Sequence, residues 1–171
     1  REHLLTSRIE HRDGTVRVVS ARGLQKCAGA FYTPDCVVDY IVSRAVELTD
    51  GPLARVLDPA CGAGRFLLAV YRRLAASRPS TVDRLDVAAR CVYGVDVDPL
   101  AVETARYTLM LAALEGQPTP DAARISAAWS TLERHVVWAD AIVEPADGVT
   151  TTAAPPLDWR AAMPEVFAER A

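Results

Sequence analysis

The sequence predicts an α/β protein on a doubly wound parallel sheet, of which it carries the first three strands. Three observations predict this. Arg55–Asp58 is a short apolar run that ends in an acid and is followed at once by a glycine turn and a helical repeat. Val92–Asp96 is a second run ending in an acid, and Asp98-Pro99 opens a long helical stretch after it. His135–Ala139 is a third, closed by Asp140. Strands alternating with helices form parallel sheets buried on both faces, and ligands of such sheets bind at the carboxyl ends of the strands.

Residues 1–28 form a polar leader in which Asp13-Gly14, before Thr15-Val16-Arg17-Val18-Val19, predicts a small hairpin. Thr33 suits a helix cap and Pro34 the first helical position. Val37, Val38, Ile41, Val42, Ala45 and Val46 then repeat at helical spacing until Asp50-Gly51-Pro52. Pro59 stops the first strand, because it cannot donate to a ladder and biases Asp58 towards an extended backbone. From Gly64 a helix runs through Phe66, Leu67, Val70 and Leu74 to the breaker Arg78-Pro79-Ser80, and residues 77–86 read as surface linker. The helix opened by Pro99 ends near Gly116, and Ala122–Glu133 is a further helix. Residues 144–156 are a Pro/Thr-rich loop, with a short amphipathic stretch at Trp159, Met163 and Phe167. The core is thus expected over residues 29–142, and residues 143–171 as a loop plus helix leading towards a fourth strand.

Composition narrows the function classes. At 171 residues and 50% hydrophobic content the chain supports one domain with a real core. Its four cysteines show no C-x-x-C pairing and its start does not resemble a signal peptide, which fits a reducing, cytoplasmic location. No apolar run approaches a bilayer span, and His3, His11 and His135 are too scattered for a metal cluster. A net charge of −3 does not favour nucleic acid, yet residues 1–26 hold six basic against three acidic side chains. That local excess suits either a solvated face or phosphate contact.

The chemistry concentrates in Asp58-Pro59-Ala60-Cys61-Gly62-Ala63-Gly64-Arg65-Phe66. A strand ending in an acid and a glycine turn opening a helix let backbone approach a ligand while helical N–H groups face an anion. A dinucleotide fingerprint wants a third glycine where Leu67 stands, and no G-x-x-x-x-G-K-[ST] string exists. A methionine carboxylate suits the helix start, and Asp58 attracts a neighbouring ammonium or sulfonium. Asp96, at the tip of the next strand, can accept both hydroxyls of a ribose. Val97 can pack on an adenine face, Asp98 reads as a helix cap, and Asp140 can accept from an adenine amino group. Three acids on three successive strand ends suit an adenosyl ligand.

With these residues in place the chain resembles the gamma-type amino DNA methyltransferases of restriction-modification and phage-defence systems. Gly-Ala-Phe-Tyr-Thr-Pro at 29–34 looks like their N-terminal cofactor motif, which generic methyltransferases lack. The resemblance covers residues 26–142. It implies a Rossmann-like class I fold, S-adenosyl-L-methionine as cofactor and adenine-N6 chemistry on duplex DNA. It implies that Phe31, Tyr32, Thr33 and Pro34 lie along the methionine end. Pro59, Ala60, Cys61, Gly62, Gly64 and Phe66 would form the cradle beside Asp58, with Asp96, Val97, Asp140 and Ala141 on the adenosine. Such enzymes activate a flipped adenine with an Asn/Asp/Ser-Pro-Pro-aromatic loop. This sequence has no asparagine, and its one Pro-Pro, in Ala154-Pro155-Pro156-Leu157, lacks both the polar head and the aromatic end. The expectation is therefore a cofactor-binding portion without catalytic residues of its own, completed by further polypeptide or a partner chain. A non-catalytic scaffold, half of a split methyltransferase and a protein or ribosome methyltransferase are the alternatives.

Overall fold

A computed structural model of the chain describes residues 7–12, 15–20, 33–47, 55–77, 83–115, 118, 120–143 and 153–167. It divides into two units, residues 1–37 and 38–171. In the first, β1 (Ser7–Arg12) and β2 (Thr15–Ser20) pair antiparallel, with Arg12 opposite Thr15 and Ser7 opposite Ser20. That register fits a two-residue connection; Asp13 and Gly14 themselves lie outside the described residues. Helix α1 (Asp35–Glu47) starts one residue later than the Thr33-Pro34 pattern predicts, and Pro34 O accepts from Val37 N at 3.0 Å. Its apolar stripe is also narrower than predicted. Val38 and Val42 are buried, whereas Val37 and Ile41 are exposed, being turned about 100° away around the helix.

The second unit is built on a parallel sheet in the order β3 (Val56–Asp58), β4 (Val92–Asp96), β5 (Val136–Trp138). This is the α/β class that the sequence predicts. The register sets Asp58 opposite Gly94 and Asp96 opposite Trp138. Central β4 buries Val92, Tyr93, Gly94 and Val95, the continuous apolar run of a strand covered on both faces.

Helices α2 (Arg65–Ala76), α3 (Arg84–Cys91), α4 (Pro99–Leu114) and α5 (Ala122–His135) cover one face. They pack Leu67, Val70, Leu74, Val102, Leu109 and Leu132 around Val92 and Val136. Both β-α-β crossovers step in the same direction, and right-handed connections then place all four helices together. The other face is closed by two single-turn helices, α6 (Trp159–Ala162) and α7 (Pro164–Phe167). Buried Met163 and Leu157 meet Tyr93, Val95 and Ala139 there.

The linker reading of residues 77–86 is corrected at 84–86, where α3 begins; residues 78–82 lie outside the described residues. Asp83 caps the helix, accepting from Leu85 N at 2.8 Å, and Leu85, Val87, Ala88, Ala89 and Cys91 are buried. Two turns give an apolar period too little room to repeat beside a polar, proline-broken stretch. The same capping device starts α4 at Asp98, α5 at Asp121 and α6 at Asp158.

The amino ends of the strands form a polar floor. Helix α3 ends at Cys91 and α5 at His135, each followed immediately by the first residue of a strand. The His135 and Tyr93 rings stack with centroids 4.2 Å apart. His135 Nδ1 lies 2.7 Å from Ala89 O and Nε2 2.6 Å from Glu165 Oε1. Arg55, just before β3, donates to Glu165 O at 2.9 Å. Glu165 on α7 is thus tied to groups at the start of β3 and β5. Arg106 of α4 secures the α5–β5 joint by donating to Val136 O at 2.9 Å and Glu133 O at 3.1 Å. No helix among the described residues is long and apolar enough to cross a membrane.

Close packing at Gly94 sets the first prediction. A Cβ there would lie 2.7 Å from Leu67 Cδ1 and 2.9 Å from Cys61 Sγ, and Leu67 is completely buried. Gly94→Ala is expected to lower stability by about 1–3 kcal/mol. Urea unfolding should show this as a lower midpoint at unchanged slope.

Candidate cofactor site

The carboxyl ends of β3 and β4 meet around the turn at residues 59–64. Asp58 Oδ1 accepts from Ala60 N at 3.1 Å, which bends the chain out of the strand. Cys61 N then donates to Val95 O at 2.9 Å and Gly64 N to Cys61 O at 2.9 Å, so the turn is pinned to β4. Gly64 has φ 83°, and a Cβ on it would stand 2.8 Å from Ala105 Cβ and 2.9 Å from Ala105 Cα. Glycine therefore satisfies a left-handed backbone and contact with α4 at one position. Gly64 O receives Leu68 N at 2.8 Å, and α2 is under way.

Asp96 closes the arrangement. Its Oδ2 accepts from Gly62 N at 2.7 Å and its Oδ1 from Asp98 N at 2.9 Å. Each oxygen keeps lone-pair capacity for one more donor, in an orientation set by backbone. A side chain held this way is ready for a vicinal diol without further ordering.

Burial pushes the Asp58 carboxyl above its ordinary value; the Ala60 N–H opposes that shift, and the Asp96 charge adds to it. The repulsion between the two acids favours a cation beside them. Burial, then the Asp58 and Asp96 charges, push the Cys61 thiol up to about 12. At 5% exposure it is an apolar wall and not a nucleophile.

Of the predicted residues, Asp58, Pro59, Ala60, Gly62, Gly64 and Asp96 come together in this way. Cys61 contributes its backbone, while its side chain turns into the core. Phe66 is half-buried against the same helical core, so it supports the turn from behind. Val97 is 44% exposed beside Asp96. Asp140 is buried, and its Oδ1 accepts from Ile142 N at 3.0 Å and Val143 N at 3.3 Å, so it caps the turn at the end of β5. Ala141 packs against the second core cluster. Phe31 and Tyr32 lie outside the described residues, and Thr33 and Pro34 belong to the first unit.

Two features were missed in the sequence. Ala154-Pro155-Pro156-Leu157 is not a free loop: Asp140 N donates to Pro155 O at 2.8 Å and Leu157 N to Asp140 O at 3.0 Å, a parallel bridge beside β5. Trp138 donates from its indole to Val97 O at 3.0 Å, across 41 positions of sequence. Only the register of β4 against β5 brings that pair together. An apolar groove lined by Leu57, Pro59, Trp159, Arg160 and Phe167 lies on the α6–α7 face and shares only Pro59 with the cradle. No group of three or more His, Cys, Asp or Glu among the described residues is placed to hold a metal.

Residues 19–143 match the family described as N-6 DNA Methylase. The chain belongs to the N-6 DNA methylase family. It is 33% identical over 100 residues to the adenine-specific methyltransferase PglX of Streptomyces coelicolor, an alignment covering 53% of this chain and 8% of that protein. It is 30% identical over 91 residues to the type I restriction enzyme MjaIX methylase subunit of Methanocaldococcus jannaschii, covering 53% and 14% respectively. The chain thus spans a small part of these N-6 DNA methylase relatives.

The thiols offer a direct check on cradle geometry. Exposed Cys36 should react with iodoacetamide at pH 8, while Cys61 should stay unmodified until denaturant is added. Burial, which pushes this thiol up to about 12, keeps the reactive thiolate scarce. Peptide mass spectrometry reads the order of labelling.

Proposed function

We propose that this chain is the S-adenosyl-L-methionine-binding part of a DNA adenine-N6 methyltransferase on the Rossmann-like class I fold. The observation that carries the proposal is the pairing of Asp58 and Asp96 at adjacent strand tips across a turn whose Gly62 N–H is bound to Asp96. That donor set fits the cofactor. Two carboxylates suit a diol and a cation, and the start of α2, which has no side-chain cap, leaves N–H groups for a carboxylate.

Asp96 would hold the ribose hydroxyls through its remaining lone pairs, and Asp58 the positive end of the ligand. The backbone of Ala60, Cys61, Gly62 and Gly64, with Pro59, would line the methionine arm. Val97 would take one face of the adenine, and the Asp140-Ala141 turn its amino edge. Bound there, S-adenosyl-L-methionine supplies a methyl group on a positively charged sulfur. The protein's task is alignment, since displacement at that carbon needs an in-line nucleophile held close.

The acceptor is inferred from the relatives, whose names specify adenine and restriction methylation. It would be the adenine amino group of duplex DNA, within cytoplasmic restriction-modification or phage defence. The Asn/Asp/Ser-Pro-Pro-aromatic loop and target recognition would come from further polypeptide or a partner chain.

Calorimetric titration should show binding of S-adenosyl-L-methionine and none of NAD. Asp96→Ala should weaken it by more than about tenfold, because one charged acceptor for two hydroxyls is lost; an unchanged Kd overturns the assignment. A pH series supplies the second check. The ligand's cation needs Asp58 ionised, and its pKa is raised. Affinity should therefore fall as pH drops towards that pKa, by at most about tenfold per pH unit. A pH-independent Kd would remove Asp58 from the site.

A further inference from the structure

The Trp138 indole lies apart from every role assigned above. It stands opposite Asp96 in the parallel register, so both side chains leave the same face of the sheet at its ligand end. It is 41% exposed, next to Val97 at 44%. An indole N–H commonly finds a partner, and here the partner is the carbonyl of Val97, the residue immediately after the ribose acid.

Several bonds consequently hold the stretch from Asp96 to Asp98, whose last residue also caps α4. Asp96 is bound through one oxygen to Gly62 N and through the other to Asp98 N. Its carbonyl accepts from Ala139 N at 3.1 Å. Trp138 supplies the last tie, on the carbonyl side of the 97–98 peptide. Removing it leaves the 97–98 peptide held on its N–H side alone, by the Asp98 N bond to Asp96.

Resting on the cofactor assignment, we infer that Trp138 is a positioning residue for the adenine: its bond to Val97 O fixes the Val97 side chain as one wall of the base slot.

The test is a double-mutant cycle read by calorimetry with S-adenosylhomocysteine. Trp138→Phe keeps an aromatic ring and loses the donor; it should raise Kd about three- to tenfold at an unchanged melting midpoint. Trp138→His, which retains a ring N–H, should recover most of the affinity. In a Val97→Ala background Trp138→Phe should cost less than about twofold, because the wall it positions is gone. Equal effects in both backgrounds, or an unchanged Kd for Trp138→Phe, overturn the proposal while leaving the cofactor assignment intact. Failure of the wild-type chain to bind overturns that assignment itself.

Discussion

The hydrogen bond from Gly62 N to Asp96 Oδ2 is the constraint around which the second unit is arranged. To make it, the turn after β3 must fold back over the tip of β4 at 2.7 Å. Every small residue nearby serves that approach. Gly94 leaves room for Leu67 and Cys61 to press on the strand, Gly64 lies against Ala105, and Ala105 is itself fully buried. Adding one carbon at Gly64 or Gly94 would thus displace backbone or a locked core side chain, and with it the geometry of the acid pair.

The parts of this arrangement that were legible in the sequence are those encoded over a few adjacent residues. A buried strand closed by an acid, a glycine turn and an aspartate cap before proline are each local patterns, and β3, β4, β5, Asp58, Asp96 and the Asp98 cap stand where those patterns point. What escaped depends on register or tertiary contact. The Trp138 bond to Val97 needs β4 and β5 side by side. The bridge between Asp140 and Pro156 is invisible in a Pro/Thr-rich stretch without periodicity. Helix α3 has its apolar face compressed into eight residues. Asp140 adds what the strand-end pattern could not show: its Oδ1 serves two backbone N–H groups of its own turn.

The two faces of the sheet are secured by different physics. Four helices hold one by apolar burial. The other is covered by two single turns, which could not persist alone. Their hold comes from Met163 and Leu157 in the core and from the floor bonds of Glu165 to Arg55 and His135. Polar contacts at the floor thereby stabilise an apolar cover, at the end of the sheet remote from the ligand groups.

The joints where α3 meets β4 and α5 meets β5 without an intervening residue have a consequence for how this fold tolerates change in length. Side chains alternate along a strand. One residue inserted between Cys91 and Val92 would swap the partners of both layers, sending Tyr93 into the helical core and Asp96 away from Gly62. No slack exists at either joint to absorb it, because the helix on one side is packed and the strand on the other is paired. A change in length at the floor thus costs both layers at once, whereas the connections that end in the capping residues Asp83, Asp121 and Asp158 have no such double constraint.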